Sequence, residues 1–173
     1  MTPVGEPNDT RTAGCVSTAW IILINKPIYP LYVWALIGAD AATRSLATLA
    51  LAPLYAAALV LARRSARGAR IALPLIGLAD TLYATKLMGA ETGAEIFLVA
   101  CGLLAIVAFP AREAKTSRTL GIVVYLAFLV LHGRYGAPLQ AWRPHEAATL
   151  LTLNLVGAAS LAAYIGLRFA TVA

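Results

Sequence analysis

The chain has 173 residues, 60% of them hydrophobic and only 13% charged, with a formal net charge of +6 and a mean hydropathy of +0.76. Soluble domains carry about 45–50% apolar and about 25% charged residues, and a chain this short builds one modest core, so lipid must solvate the surplus. An ordinary soluble domain is excluded, and since a bilayer offers no partner to open backbone groups, helices or a closed barrel remain; the apolar runs are long, rich in Ala and Leu, and lack the period-2 alternation of barrel strands.

Residues 1–16 hold Pro3, Pro7 and several polar side chains and read as a cytoplasmic tail. Six spans follow within residues 17–169. The first, 17–37, carries Asn25-Lys26-Pro27 near its middle and Pro30 just after. Pro27 removes a helix hydrogen bond and is expected to kink or break this span. A competing reading makes 17–24 an interfacial segment, although 28–38 alone is too short for a core about 30 Å thick. The second span, 46–62, is expected to bend at Pro53. The third, 69–88, has Pro74 in its first turns. The fourth, 94–109, is closed by Pro110. The fifth, 119–132, and the sixth, 147–169, complete the set, and residues 170–173 form a short tail. Cys15 and Cys101 fall at different depths, so no disulfide is expected.

Charge sets the orientation. Arg63, Arg64, Arg67 and Arg70 crowd the second connection, and Arg112, Lys115 and Arg118 the fourth, with Arg11 and Arg168 flanking the ends. Arg44, Lys86, Arg134 and Arg143 are spread over three loops on the other side. The positive-inside rule places the first set, and hence both termini, in the cytoplasm. Trp34, Trp142, Tyr135 and Tyr29 fall nearer the outer side, as an aromatic belt does. The fold class is all-α: an integral membrane six-helix bundle. Because the bases cluster between apolar spans and no RNA- or DNA-binding motif is present, no nucleic-acid partner is expected.

The residues that carry chemistry are few. Lys26 and Asp80 lie near the midpoints of the first and third spans, which run in the same direction, so they share a depth. Ionisable groups there cost about 2.5–3.5 kcal/mol each on insertion scales and face the bundle interior, where pairing relieves desolvation. The pair reads either as a device that fixes helix packing or as a ligand, proton or ion site. Asn25 and Asn154 are the other intramembrane polar residues, with helix-to-helix hydrogen bonding as the default role. The outer mouth collects Glu91, Glu95, His132 and His145 as ligand candidates. Two imidazoles at one face meet the geometric minimum for a metal or haem, but no His-x-x-x-His spacing supports it, and neither cofactor nor metal is expected. There is no Gly-rich phosphate loop, nucleophile elbow or His-Glu-x-x-His motif, so the chain is not read as an enzyme.

Leu78-Ala79-Asp80, the stretch Leu87-Met88-Gly89-Ala90-Glu91-Thr92-Gly93-Ala94-Glu95-Ile96-Phe97, and the apolar run ending Phe109-Pro110-Ala111-Arg112-Glu113 carry a family likeness. With Tyr125-Leu126-Ala127-Phe128, Leu139 and Asn154, they make residues 44–168 similar to the six-helix membrane region at the N-terminus of many bacterial sensor histidine kinases and class III adenylate cyclases. Asp80 stands where those regions usually carry an uncharged polar residue, and Lys26 is not a feature of them. The resemblance implies a sensory or regulatory module of the bacterial inner membrane that passes a ligand or membrane signal to a cytoplasmic effector. No kinase or cyclase domain follows Arg168 in this sequence, so the output is expected to reach a partner protein or a domain outside it. Expected partners are the lipid bilayer, another membrane protein or a second copy of the chain, and that effector. The alternatives are an accessory subunit of a larger membrane complex and a small ion- or proton-coupled transporter using Lys26 and Asp80.

Overall fold

The computed structural model describes the backbone of residues 7–170 and the side chains of residues 10–170. Every regular element among them is helical: α1 (Pro7–Leu36), α2 (Ala39–Ser45), α3 (Ala52–Arg64), α4 (Ala66–Met88), α5 (Phe97–Val107), α6 (Ala114–Leu131) and α7 (Pro144–Ala170). A 3-10 stretch, Leu46–Leu51, joins α2 to α3 as one rod. Five helical segments are long and apolar enough to cross a membrane: Thr10–Leu36, Ala39–Arg64, Ala66–Met88, Ala111–Leu131 and Pro144–Ala170. The segment expected as the fourth span is shorter, Ala94–Val107.

α1 starts at Pro7, so the part of the expected tail from residue 7 to 16 is helical; residues 1–6 and 171–173 lie outside the described residues. Proline suits a first helical turn because its missing N–H would be unpaired there anyway. The helix then buries a face of small residues, Cys15 and Ala19, in a cluster with Ala105, Ala108, Ile165 and Phe169. Nor is α1 broken at Pro27 or Pro30, since it runs through both. Packing against α2, α3, α4 and α7 holds it, which is how helices at membrane depth tolerate proline. At Pro53 the expected disturbance takes another form. The missing N–H leaves the preceding turn without its α-type bond, and that turn tightens into the 3-10 stretch.

The rods alternate in direction. One end of the bundle holds the α3–α4 turn, the α5–α6 turn, the start of α1 and the end of α7. Arg70 ties it together from inside, 2% exposed, with a salt bridge to Glu113 at 2.9 Å and a hydrogen bond to Thr12 at 3.4 Å. Arg70 is thus a buried crosslink and not the loop charge its spacing suggested. At the other end, the loop between α6 and α7 folds over the end of α4. Leu139 N–H donates to the Lys86 carbonyl and Gln140 N–H to that of Leu87. Lys86 Nζ donates to the carbonyls of Tyr135 and Ala137, and Arg44 to that of Ala141.

Under this strap runs the irregular segment between α4 and α5, turning at Gly89 (φ 93°) and Gly93 (φ 71°), a region costly for any residue with a Cβ. Thr92 and Ala94 are buried, and α7 closes the gap: Asn154 Nδ2 donates to the Thr92 carbonyl at 2.8 Å. Non-helical backbone at membrane depth is tolerated where protein buries it. The turn is why α5 has only 11 residues, about 17 Å at 1.5 Å per residue.

Candidate functional site

Three helices meet in the middle of the bundle around Asp80. From α1, Lys26 Nζ lies 2.5 Å from Asp80 Oδ1 and donates a second bond, at 2.9 Å, to the Thr48 carbonyl. From α3, the Tyr55 hydroxyl donates to Asp80 Oδ2 at 2.9 Å, and its ring lies 6.0 Å from the ammonium. The two charged side chains are 11% and 13% exposed, and Tyr55 is 2% exposed. Both carboxylate oxygens are therefore engaged, and opposite charges cancel locally. Equal depth on parallel helices brings Lys26 and Asp80 together. The 3-10 stretch above Pro53 takes its carbonyls off the regular α ladder, and the Thr48 carbonyl is the one that accepts from Lys26.

This cluster forms one wall of a cavity of about 790 Å³ between α1, α4, α5 and α7. Its lining is mostly apolar, with Asn25, Asn154 and Tyr29 as further polar groups. Asn25 is exposed, whereas Asn154 is buried and spends its amide on Thr92. Tyr29 lines the cavity, its hydroxyl 3.8 Å from Met88 Sδ at the end of α4. Thr81 and Cys101 contact each other at 3.9 Å in the same wall. Cys15 and Cys101 are both free and buried.

The outer-mouth candidates separate. Glu95, at the start of the short turn before α5, accepts from the Tyr135 hydroxyl at 2.9 Å and lies 2.8 Å from His132 Nδ1. Burial and the Glu95 carboxylate push the Tyr135 phenol above its ordinary value, so it remains a donor to Glu95. Glu91 and His145 are exposed and do not join this group. No group of three or more His, Cys, Asp or Glu residues among the described residues is arranged to hold a metal ion. A second cluster forms at the strap end, with pairings that the sequence did not reveal. Arg44 stacks 4.3 Å from the Trp142 ring and reaches Glu146 at 3.5 Å, which also accepts from Arg143 N–H. Glu95, Lys86 and Arg44 anchor the strap.

Sequence reasoning missed Tyr55, the Thr48 carbonyl, and Glu113 as the partner of Arg70. Tyr55 lies in an apolar span where an aromatic is unremarkable, but its placement about two turns after Thr48 on the same rod, facing Asp80, was a usable signal. Comparison of the chain with protein-family models, curated proteins and solved structures gives no match.

Proposed function

We propose that the chain is a six-pass sensory or regulatory module of a bacterial inner membrane, with both termini in the cytoplasm, that receives a lipid-borne ligand in its central cleft and relays occupancy to a cytoplasmic effector. One observation supports this reading above the others. A cavity of about 790 Å³ at mid-bundle, mostly apolar, has a small convergent polar cluster on one wall; that combination is what small-molecule sites share. The helices that line it, α1, α4, α5 and α7, also form the end that holds the basic turns, so a ligand that favours one packing of these helices over another biases that end too. In this proposal the short fourth segment crosses the membrane together with the strap-covered turn above it, which restores six crossings. The effector, or a second copy of the chain, docks on the basic face made by Arg63, Arg64, Arg112, Lys115 and Arg118.

The test is a fusion of a class III adenylate cyclase catalytic domain after Ala173, reconstituted in lipid vesicles. The expected result is activity that changes roughly two-fold or more when native membrane lipid extract is added, with the response lost in Ser160→Phe, which fills the cleft mouth. Activity indifferent to every lipid fraction contradicts the proposal.

A further inference from the structure

We infer that the cleft selects an uncharged, membrane-dissolved molecule with a flat, carbonyl-bearing head of the quinone kind, and discriminates against fatty acids and other lipid anions. The inference deepens the reading of the cleft as a ligand site and rests on it.

Access comes first. Ile24 and Tyr32 of α1 and Val156 of α7 line the cleft and are 56%, 46% and 59% exposed. These apolar residues lie within segments suited to cross a membrane, so the opening faces the hydrocarbon layer, and the ligand arrives from the bilayer.

Charge comes next. The cluster is already neutral, because the Lys26 ammonium faces Asp80, whose two oxygens are both taken, by Lys26 and by Tyr55. An anionic head placed on Lys26 would meet Asp80 at short range, in a wall where like charges are poorly screened. A neutral acceptor meets no such penalty. An ammonium carries three N–H donors. Lys26 gives two, to Asp80 and to Thr48, and among the described residues no protein acceptor takes the third. One donor is left for a carbonyl oxygen. Asn25, the preceding residue, brings an exposed amide without a protein partner to the same lining, a second hydrogen-bonding group for a head with two oxygens. Tyr29, Tyr55 and Phe97 also line the cleft, and aromatic rings favour offset or edge contacts with a planar head. The volume of about 790 Å³ is within the range of about 300–1,000 Å³ that holds compact ligands.

The experiment uses the full chain in phosphatidylcholine nanodiscs and a decyl-substituted benzoquinone carrying a photoactivatable diazirine. Cross-linked peptides are mapped, and unlabelled decylbenzoquinone, laurate and dodecane compete. The expected result is labelling of α1 or α7 at the cleft, displaced by the quinone, with laurate needing at least about ten-fold more. Ser160→Phe, an exposed substitution at the cleft lining, lowers labelling at least about ten-fold. Asp80→Asn, which removes the counter-charge, inverts the preference so that laurate displaces better than the quinone. Laurate competing as well as the quinone in the wild-type chain overturns the inference, as does cleft labelling unchanged by Ser160→Phe. Dodecane competing equally well overturns the choice of head while leaving the cleft as a ligand site. Absence of labelling at the cleft overturns both.

Discussion

Asp80 spends one oxygen on Lys26 and the other on Tyr55, and Lys26 spends a second proton on the Thr48 carbonyl. Removing one partner strands the rest. Asp80→Ala leaves the ammonium unpaired at membrane depth, and we expect a loss of about 3 kcal/mol in unfolding measured in detergent. The double change Lys26→Met with Asp80→Leu should recover most of that, because a buried pair replaced by apolar groups is close to neutral. Exchanging the charges, Lys26→Asp with Asp80→Lys, should recover only part, since the new carboxylate faces the Thr48 carbonyl. Full rescue by exchange would mean that Thr48 contributes nothing. Asn154→Ala leaves the Thr92 carbonyl without its donor and should cost about 1–2 kcal/mol in the same assay; an unchanged midpoint would show that water replaces the amide. At this scale the sequence was partly readable. Two opposite charges at equal depth on parallel helices were visible in the spacing of Lys26 and Asp80. Thr48 was not, because its contribution is a backbone carbonyl and no side-chain pattern reports it. Arg70 looked like its neighbours Arg63, Arg64 and Arg67, and only the packing of Glu113 against it reveals a buried pair.

The elements depart from a simple row of spans where backbone chemistry intervenes. Apolar length located every rod, and the fourth starts at Ala94 as expected, but its first turn is 3-10 and the segment ends at Val107. Gly89 and Gly93 hold positive φ, and the chain turns twice before α5 begins. Gly93→Ala should therefore lower the thermal midpoint, by the cost of about 1–2 kcal/mol for a Cβ in that conformation and by contact of the new methyl with the Leu151 side chain. Gly121→Ala is the control. It is helical with open space around it, and should raise stability by about 0.5–1 kcal/mol. Equal effects at both positions would show that the turn carries no backbone constraint. The strap between α6 and α7 was invisible in the sequence because its anchors are main-chain carbonyls of Tyr135, Ala137 and Ala141. Tyr135→Phe removes the phenol that Glu95 accepts from, and hydrogen exchange at the Leu139 and Gln140 amides should quicken about ten-fold. Unchanged exchange there would mean that Lys86 and Arg44 hold the strap without Glu95.

For the whole molecule, composition and the absence of period-2 alternation pointed to the helical class, while the cleft lies between α1, α4, α5 and α7, which no single span encodes. The proposed relay joins the cleft to the basic end through those same helices, and a distance across that end reads it most directly. Spin labels at Ser65→Cys and Arg112→Cys, in a chain whose buried Cys15 and Cys101 are replaced by Ala, report the separation of the α3–α4 and α5–α6 turns in nanodiscs. Adding native membrane lipid extract should shift the distance distribution by a few ångströms, on the order of the helix shifts seen in switching proteins, and Ser160→Phe should abolish the shift. A distribution that is identical with and without lipid extract, in a folded chain, would contradict the account.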